Sequence, residues 1–203
     1  STIAPGKLTL ADMKSYQAIE REPVCGDYQQ YQICGMGPPS SGGIAVIQIV
    51  KQLQRFELKN YLPDSWQFAH LFSQSSRLAF ADRNKYVADS DFVSVPVAGL
   101  LAPDYLAKRA NLISEQKDMG QASAGVPTGA LALADDNAYE MPSTSHISIV
   151  DAQGNAVSMT TSIEMAFGSA VMVEGFILNN QLTDFSFMPS NNDKRIANRV
   201  APF

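Results

Sequence analysis

Two stretches of alternating residues around a tight turn constrain the last third of this chain more than any other feature. In Ser145-His146-Ile147-Ser148-Ile149-Val150-Asp151 polar and apolar residues take turns, Gln153-Gly154-Asn155 supplies a turn, and Ala156-Val157-Ser158-Met159-Thr160-Thr161-Ser162-Ile163 alternates again. A period of two puts successive side chains on opposite faces of a strand, so the pattern predicts an antiparallel hairpin. What precedes it has the opposite character. From Lys117 to Ser143 the chain is rich in Gly, Ala, Ser and Asp with almost no periodicity, and a structureless loop of that length inside a compact domain is uncommon unless it has a task. A patternless arm therefore ends abruptly at Thr144, at the start of a predicted core strand.

The earlier part of the chain reads as helical. Thr9-Leu10-Ala11-Asp12 has the form of a capping box, which predicts a helix running to about Glu20. Pro38-Pro39-Ser40-Ser41-Gly42-Gly43 opens a buried helix with apolar residues at Ile44, Ile47, Val50 and Leu53. A longer helix is expected from Asp64, as its cap, to about Asp89, and a shorter one from Pro103 to Ile113. Glycines ahead of a helix can cradle phosphate, but this turn lacks the Lys and spacing of a Walker loop and reads as a rigid helix entry.

Between the first two helices lie Cys25 and Cys34. If Gln29-Gln30 is a two-residue turn, counting outward from Tyr28/Tyr31 places the cysteines opposite one another at a non-hydrogen-bonded pair, where side chains approach most closely. A disulfide fits there, and so do two half-buried thiols on a hairpin. Neither cysteine has the His or second Cys pair that zinc requires, so no metal site is expected.

With 45% hydrophobic and 17% charged residues in 203, the chain can bury one sizeable core. A net charge of −5 without Lys/Arg clusters argues against nucleic acid or an anionic membrane surface and favours a small polar ligand. No apolar run approaches the length of a spanning helix, and the N-terminus has no secretion-signal pattern.

Thr144 is the residue on which chemistry turns. A threonine hydroxyl is a poor nucleophile unless a base stands beside it, and one such base is the residue's own α-amine, freed by chain cleavage. That amine ordinarily titrates at about 7.7 to 8.0, so it can accept the hydroxyl proton near neutral pH. A long loop leading into a strand-initial Thr suits such a cut; Thr at a strand start is also ordinary.

The words around it decide more. Met141-Pro142-Ser143-Thr144-Ser145-His146-Ile147-Ser148-Ile149-Val150-Asp151-Ala152-Gln153-Gly154-Asn155 resembles the processing site of the gamma-glutamyltranspeptidase family. Tyr31-Gln32-Ile33 with Pro38 to Gly43, then Leu78-Ala79-Phe80-Ala81-Asp82-Arg83, are similar to two upstream words of that family. Gly175-Phe176-Ile177-Leu178-Asn179-Asn180-Gln181-Leu182-Thr183-Asp184-Phe185-Ser186 resembles its substrate-binding strand and loop. The four motifs run in one order over nearly the whole chain.

The resemblance implies an α+β fold, part of the αββα sandwich of N-terminal-nucleophile hydrolases. Residues 1–143 would be the C-terminal part of the large-subunit region and residues 144–203 the N-terminal part of the small one. It implies autocleavage between Ser143 and Thr144, attack by Thr144 on glutathione or a related γ-glutamyl amide, and transfer of the acyl group to water or an amino-acid or peptide acceptor. No cofactor is implied. Ser162 matches the position that orients the nucleophile's α-amine; Gln181 and Asp184 match positions that bind the substrate's α-ammonium. Glu164 stands where the family often has Asn, which opens a second reading: an acylase for another side-chain amide, such as a glutaryl-β-lactam. A processing-deficient, non-enzymatic relative is a third. His146 and His70 read as structural. The family's carboxylate-binding Arg, its Ser-Ser pair and its Gly-Gly oxyanion hole have no counterpart here, so the chain is expected to be the middle of a longer precursor, inactive alone and uncut at Thr144, that needs the remaining parts of both subunits. Periplasmic or secreted location is likewise implied by the family.

Overall fold

The computed structural model describes residues 7–136 and 144–198, and these form a helical half followed by a half of short antiparallel hairpins. Ser143, on the predicted autocleavage bond, lies outside the described residues.

The helical half begins with α1 (Leu10–Ser15), closed by the Thr9/Asp12 capping box. It stops well short of Glu20: no residue of α1 is buried, and a single turn without packing has little to extend it. β1 (Val24–Tyr28) and β2 (Tyr31–Gly35) pair with Cys25 opposite Cys34. Gln29 takes a positive φ of 53° in the turn, as primed hairpin turns require. The two sulfurs are bonded, with Cα atoms 4.1 Å apart.

This hairpin lies on α2 (Gly42–Leu53) at glycines that allow backbone contact: a Cβ on Gly35 would stand 2.6 Å from the Gly43 Cα. α2 packs along α3 (Trp66–Tyr86), with α4 (Val97–Leu100) and α5 (Pro103–Ala110) against its flank. The N-cap of α3 is Ser65, one residue after the Asp64 expected from sequence, because its hydroxyl accepts from the Phe68 amide. One apolar cluster gathers Ile44, Tyr86, Leu100 and Leu106; the other gathers Ile49, Leu53, Leu71 and Leu78.

A buried polar hub sits between them. Asp82, 0% exposed, accepts from the Tyr105 hydroxyl (2.7 Å) and Gln48 (3.3 Å) at one oxygen, and from the Gly125 amide (2.8 Å) and Arg109 (3.1 Å) at the other. Burial raises the Asp82 carboxyl above its ordinary range, against the pull of Arg109 and the hydrogen bonds. Burial and the Asp82 charge push the Tyr105 phenol up as well.

The hub also explains the patternless arm. Its middle is moored to the core by the Gly125 amide on Asp82 and by the Tyr86 hydroxyl, which donates to the Gly125 carbonyl (2.6 Å). Farther on, Ala134 bridges Ile196 and Lys85 pairs with Asp135 at 3.2 Å. Over residues 117–136 the arm is held at such separate points and not along one continuous face, which gives it no period.

The second half opens with β3 (Thr144–Val150) and β4 (Ala156–Ser162), paired from Thr144/Ser162 to Val150/Ala156. Asp151 closes the turn by accepting from the amides of Gln153 and Asn155 and from the Asn155 side chain, and these bonds hold its carboxyl below the usual range. β5 (Met172–Val173) with β6 (Phe176–Ile177), and β7 (Ser190–Asn191) with β8 (Lys194–Arg195), are two-residue pairs. The expected core strand is exposed along its whole length: Ile147 and Ile149 face Met159 and Val157 across the ladder, and Ile149 is 56% exposed. No layer from the described residues covers that apolar face.

Candidate active site

A cavity of about 560 Å³ lies between the two halves. Its strand wall is Thr144, Ser162, Glu164, Gln181, Asp184, Phe185 and Asn198; its helical wall is Pro39, Ser41, Arg83, Val87, Ala88 and Asp89.

On the strand wall, the hairpin register sets the geometry. Thr144 and Ser162 are ladder partners on the same face, and the Thr144 hydroxyl donates to the Ser162 Oγ at 3.1 Å. The Ser162 Oγ also accepts from the Glu164 amide at 2.9 Å, so this one hydroxyl links the threonine to the turn that follows β4.

That turn is strained. Glu164 has φ 69° and Ala170 φ 57°, in the left-handed region costly for residues with a Cβ. Gly168, at φ 47°, passes so close to β6's exit that a Cβ there would meet the Leu178 carbonyl at 2.2 Å. The turn is pinned by the Met165 amide, which donates to the Asn180 side chain at 3.0 Å, and by the Ser169 amide, which donates to the Leu178 carbonyl at 2.9 Å. The result is a Glu164 side chain at 6% exposure whose Oε2 has no hydrogen-bond partner among the described residues. An ionised carboxylate oxygen left dry and unpaired is costly, so this position calls for a cationic or hydrogen-donating ligand.

Gln181 and Asp184 begin and end a short 3-10 turn, and the Gln181 amide nitrogen donates to Asp184 Oδ2 at 2.6 Å. Asn198 supports them by donating to the Asp184 carbonyl at 2.8 Å. With Glu164, the strand wall thus presents two carboxylates.

The helical wall comes from the turn before α2 and the end of α3. Arg83 donates from Nε to the Ser41 Oγ (3.3 Å) and from Nη1 to Asn84 (3.0 Å). Asp89 accepts from the Asp91 amide at 3.0 Å and lies 3.8 Å from Arg21, whose guanidinium holds Asp91 below the usual carboxylate range.

Thr144, Ser162, Glu164, Gln181 and Asp184 therefore meet in one cavity, although they are spread along the sequence. His146 does not join them: its ring bonds the Thr160 hydroxyl at 2.8 Å and the Ser148 and Ser158 hydroxyls, along the hydroxyl-bearing face of the hairpin. His70 bonds the Ser114 carbonyl at 2.9 Å and Gln74 at 2.8 Å, tying α3 to the segment after α5. Sequence reasoning assigned no site role to Ser41, Arg83, Asp89 or Asn198. The signal was present for the first two, because both upstream family-like words end on this cavity. Among the described residues no group of three or more His, Cys, Asp and Glu is placed to hold a metal, and no helix is long and apolar enough to cross a membrane.

Residues 3–203 match the family model described as gamma-glutamyltranspeptidase. The chain is 40% identical over 209 aligned residues to the glutathione hydrolase proenzyme of Bacillus subtilis strain 168, covering 97% of this chain and 34% of that protein. It is 33% identical to the Acylase ACY 1 proenzyme of Pseudomonas sp. strain SE83, over 97% of this chain and 35% of that one. Among solved structures, a cephalosporin acylase from Bacillus halodurans superimposes with a TM-score of 0.72 at 27% identity, over 96% of this chain and 34% of its own. The chain thus spans about a third of the length of the curated relatives it matches.

Proposed function

The chain belongs to the gamma-glutamyltranspeptidase family of N-terminal-nucleophile hydrolases, a family of enzymes, and from that premise we propose that it carries the nucleophile and acyl pocket of a γ-glutamyl transferase and glutathione hydrolase. Residues 1–143 are the end of the large-subunit region and residues 144–203 the start of the small one.

In this reading the Thr144 hydroxyl first attacks the Ser143 carbonyl. The peptide shifts to an ester, water cleaves it, and Thr144 is left with a free α-amine. That amine takes the hydroxyl proton as Thr144 attacks the γ-amide of the donor, the amine product leaves, and a γ-glutamyl ester remains for water or an acceptor amine. Ser162 orients the threonine, in keeping with its 3.1 Å bond to the hydroxyl. Glu164, Gln181 and Asp184 receive the donor's α-ammonium.

The observation that carries this reading is the buried Glu164 Oε2, without a hydrogen-bond partner among the described residues, in the cavity that holds Thr144. An ammonium satisfies that oxygen with a charge-assisted hydrogen bond. A glutaryl group has no ammonium to offer and leaves it unpaired, so the same oxygen weighs against the acylase reading that the similarity to ACY 1 keeps in view.

The full-length precursor should release p-nitroaniline from a γ-glutamyl anilide much faster than from a glutaryl anilide, and Thr144→Ala should abolish both release and cleavage before residue 144. Preference for the glutaryl substrate would favour the acylase; no turnover of either would leave a non-enzymatic relative. The 203-residue chain alone is expected to be inactive and uncut, because the oxyanion-hole donors lie in other parts of the precursor and one such donor is worth about 2.7–4 kcal/mol. Those parts of both subunits are its proposed partners, and export from the cytoplasm its proposed location.

A further inference from the structure

Glu164 owes its place in the cavity to its backbone, and that backbone is held by a residue sixteen positions further on. The Ile163 carbonyl accepts from the Asn180 N–H at 3.3 Å, and the Met165 N–H donates to the Asn180 Oδ1 at 3.0 Å. The first group belongs to the peptide plane before the Glu164 Cα, the second to the plane after it. Two planar peptides joined at one Cα differ only in φ and ψ, so Asn180 restrains both dihedrals of Glu164. The Ser162 Oγ reinforces the first plane by accepting from the Glu164 N–H at 2.9 Å. With φ at 69°, Glu164 occupies the left-handed region, which a residue with a Cβ leaves unless its surroundings hold it there. Its return to an ordinary conformation would swing the side chain away from the position in which it lines the cavity.

The same asparagine also reaches the second carboxylate. Asn180 is the N-cap of the 3-10 turn Gln181–Asp184. Its Nδ2 donates to the Thr183 Oγ1 at 3.3 Å, and its carbonyl accepts from the Thr183 amide at 3.1 Å and the Thr183 hydroxyl at 3.0 Å. Asn180 is thus bonded both to the turn that carries Glu164 and to the turn that carries Gln181 and Asp184. It is not itself among the described residues that line the cavity.

We propose that Asn180 is the positioning residue for ammonium recognition: it sets the Glu164 and Asp184 carboxylates relative to each other, and so makes the pocket prefer acyl donors that carry an α-ammonium. The proposal rests on the γ-glutamyl reading above. An ammonium has three N–H donors in a fixed tetrahedral array, so two carboxylates serve it together only within a narrow range of spacings. Asn180 touches no reacting atom; it acts through Glu164.

The test uses the full-length processed enzyme and two anilides, γ-glutamyl and glutaryl, which differ only in the α-ammonium. For Asn180→Ala, the ratio of kcat/KM on the first to kcat/KM on the second should fall about tenfold, the size of one charge-assisted hydrogen bond, chiefly through the KM of the γ-glutamyl donor. Asn180→Asp keeps an acceptor for the Met165 N–H and should hold the ratio within about threefold of the unaltered enzyme's. In a Glu164→Gln background, Asn180→Ala should lower the ratio by no more than about twofold, because the carboxylate that it aims is gone. An asparagine that only stabilised the fold would depress both anilides alike. An unchanged ratio in Asn180→Ala therefore overturns the proposal, as does a full loss in the Glu164→Gln background or a loss in Asn180→Asp equal to that in Asn180→Ala. Should Asn180→Ala stay uncut before residue 144, Asn180→Ser takes its place with an expected fall of about threefold, and an unchanged ratio there has the same force. If the unaltered enzyme does not favour the γ-glutamyl anilide, the γ-glutamyl reading falls and this proposal with it; if it does and the ratio ignores Asn180, only this proposal falls.

Discussion

The two halves of this molecule are held in different ways. Residues 7–136 bury their apolar stripes against each other and spend their polar groups on a central hub, while residues 144–198 are held mainly by backbone ladders and turn hydrogen bonds, with apolar side chains facing outward. The reacting groups proposed above sit on the second kind of structure, at its border with the first. The strand half supplies reach and the helical half supplies rigidity.

That contrast can be broken by substitution. The largest effect is expected for Asp82→Ala, which leaves Arg109 buried without its carboxylate; about 3–5 kcal/mol of the stability of the helical half should be lost in urea unfolding. Leu78→Ala, at a side chain 1% exposed, should cost about 2–5 kcal/mol. Replacing Cys25 and Cys34 by Ser should cost about 2–3 kcal/mol on the loop-entropy account of a bridge spanning 9 residues. Ile149→Ala, by contrast, should change unfolding by no more than about 0.5 kcal/mol, as surface substitutions do. A loss as large as that for Leu78→Ala would show that the hairpin is packed after all. Amide hydrogen exchange should give the same ranking, with α2 and α3 protected longest and β3–β4 least.

The smallest effect concerns pH. Hydrogen bonds in the turn lower the Asp151 carboxyl below its unfolded value of about 3.9. A depressed pKa means that the turn's contribution is complete above that value and is lost as pH falls through the folded one. Acid should therefore speed exchange at the Gln153 and Asn155 amides, and Asp151→Asn should remove that acid step. No such step in the unsubstituted chain would refute the assignment.

The difference between the halves also governs what the sequence discloses. Alternation predicted the hairpin of β3 and β4, and helical periodicity located α2 and α3, because both patterns come from local geometry. The ends of helices were less legible. α1 is shorter than its capping box suggests because nothing packs on it, and α3 starts after Ser65 because of one hydroxyl. The core strand expected from β3's alternation is bare, since alternation tells which face is apolar and not what covers it. The arm before Thr144 was visible only as a lack of pattern; its moorings at Asp82, Tyr86 and Ile196 are long-range contacts without period. Arg83 and Ser41 were readable as words but not as a wall, for the same reason.

The cavity takes one wall from residues before position 143 and the other from residues after it. A cut at that bond turns the cavity into a seam between two polypeptides, and anything seated in it becomes a fastener. Occupancy and association are then one equilibrium: a ligand present at 100 times its Kd adds about 2.7 kcal/mol to the cohesion of the pieces, and each piece raises the other's affinity for the ligand in return.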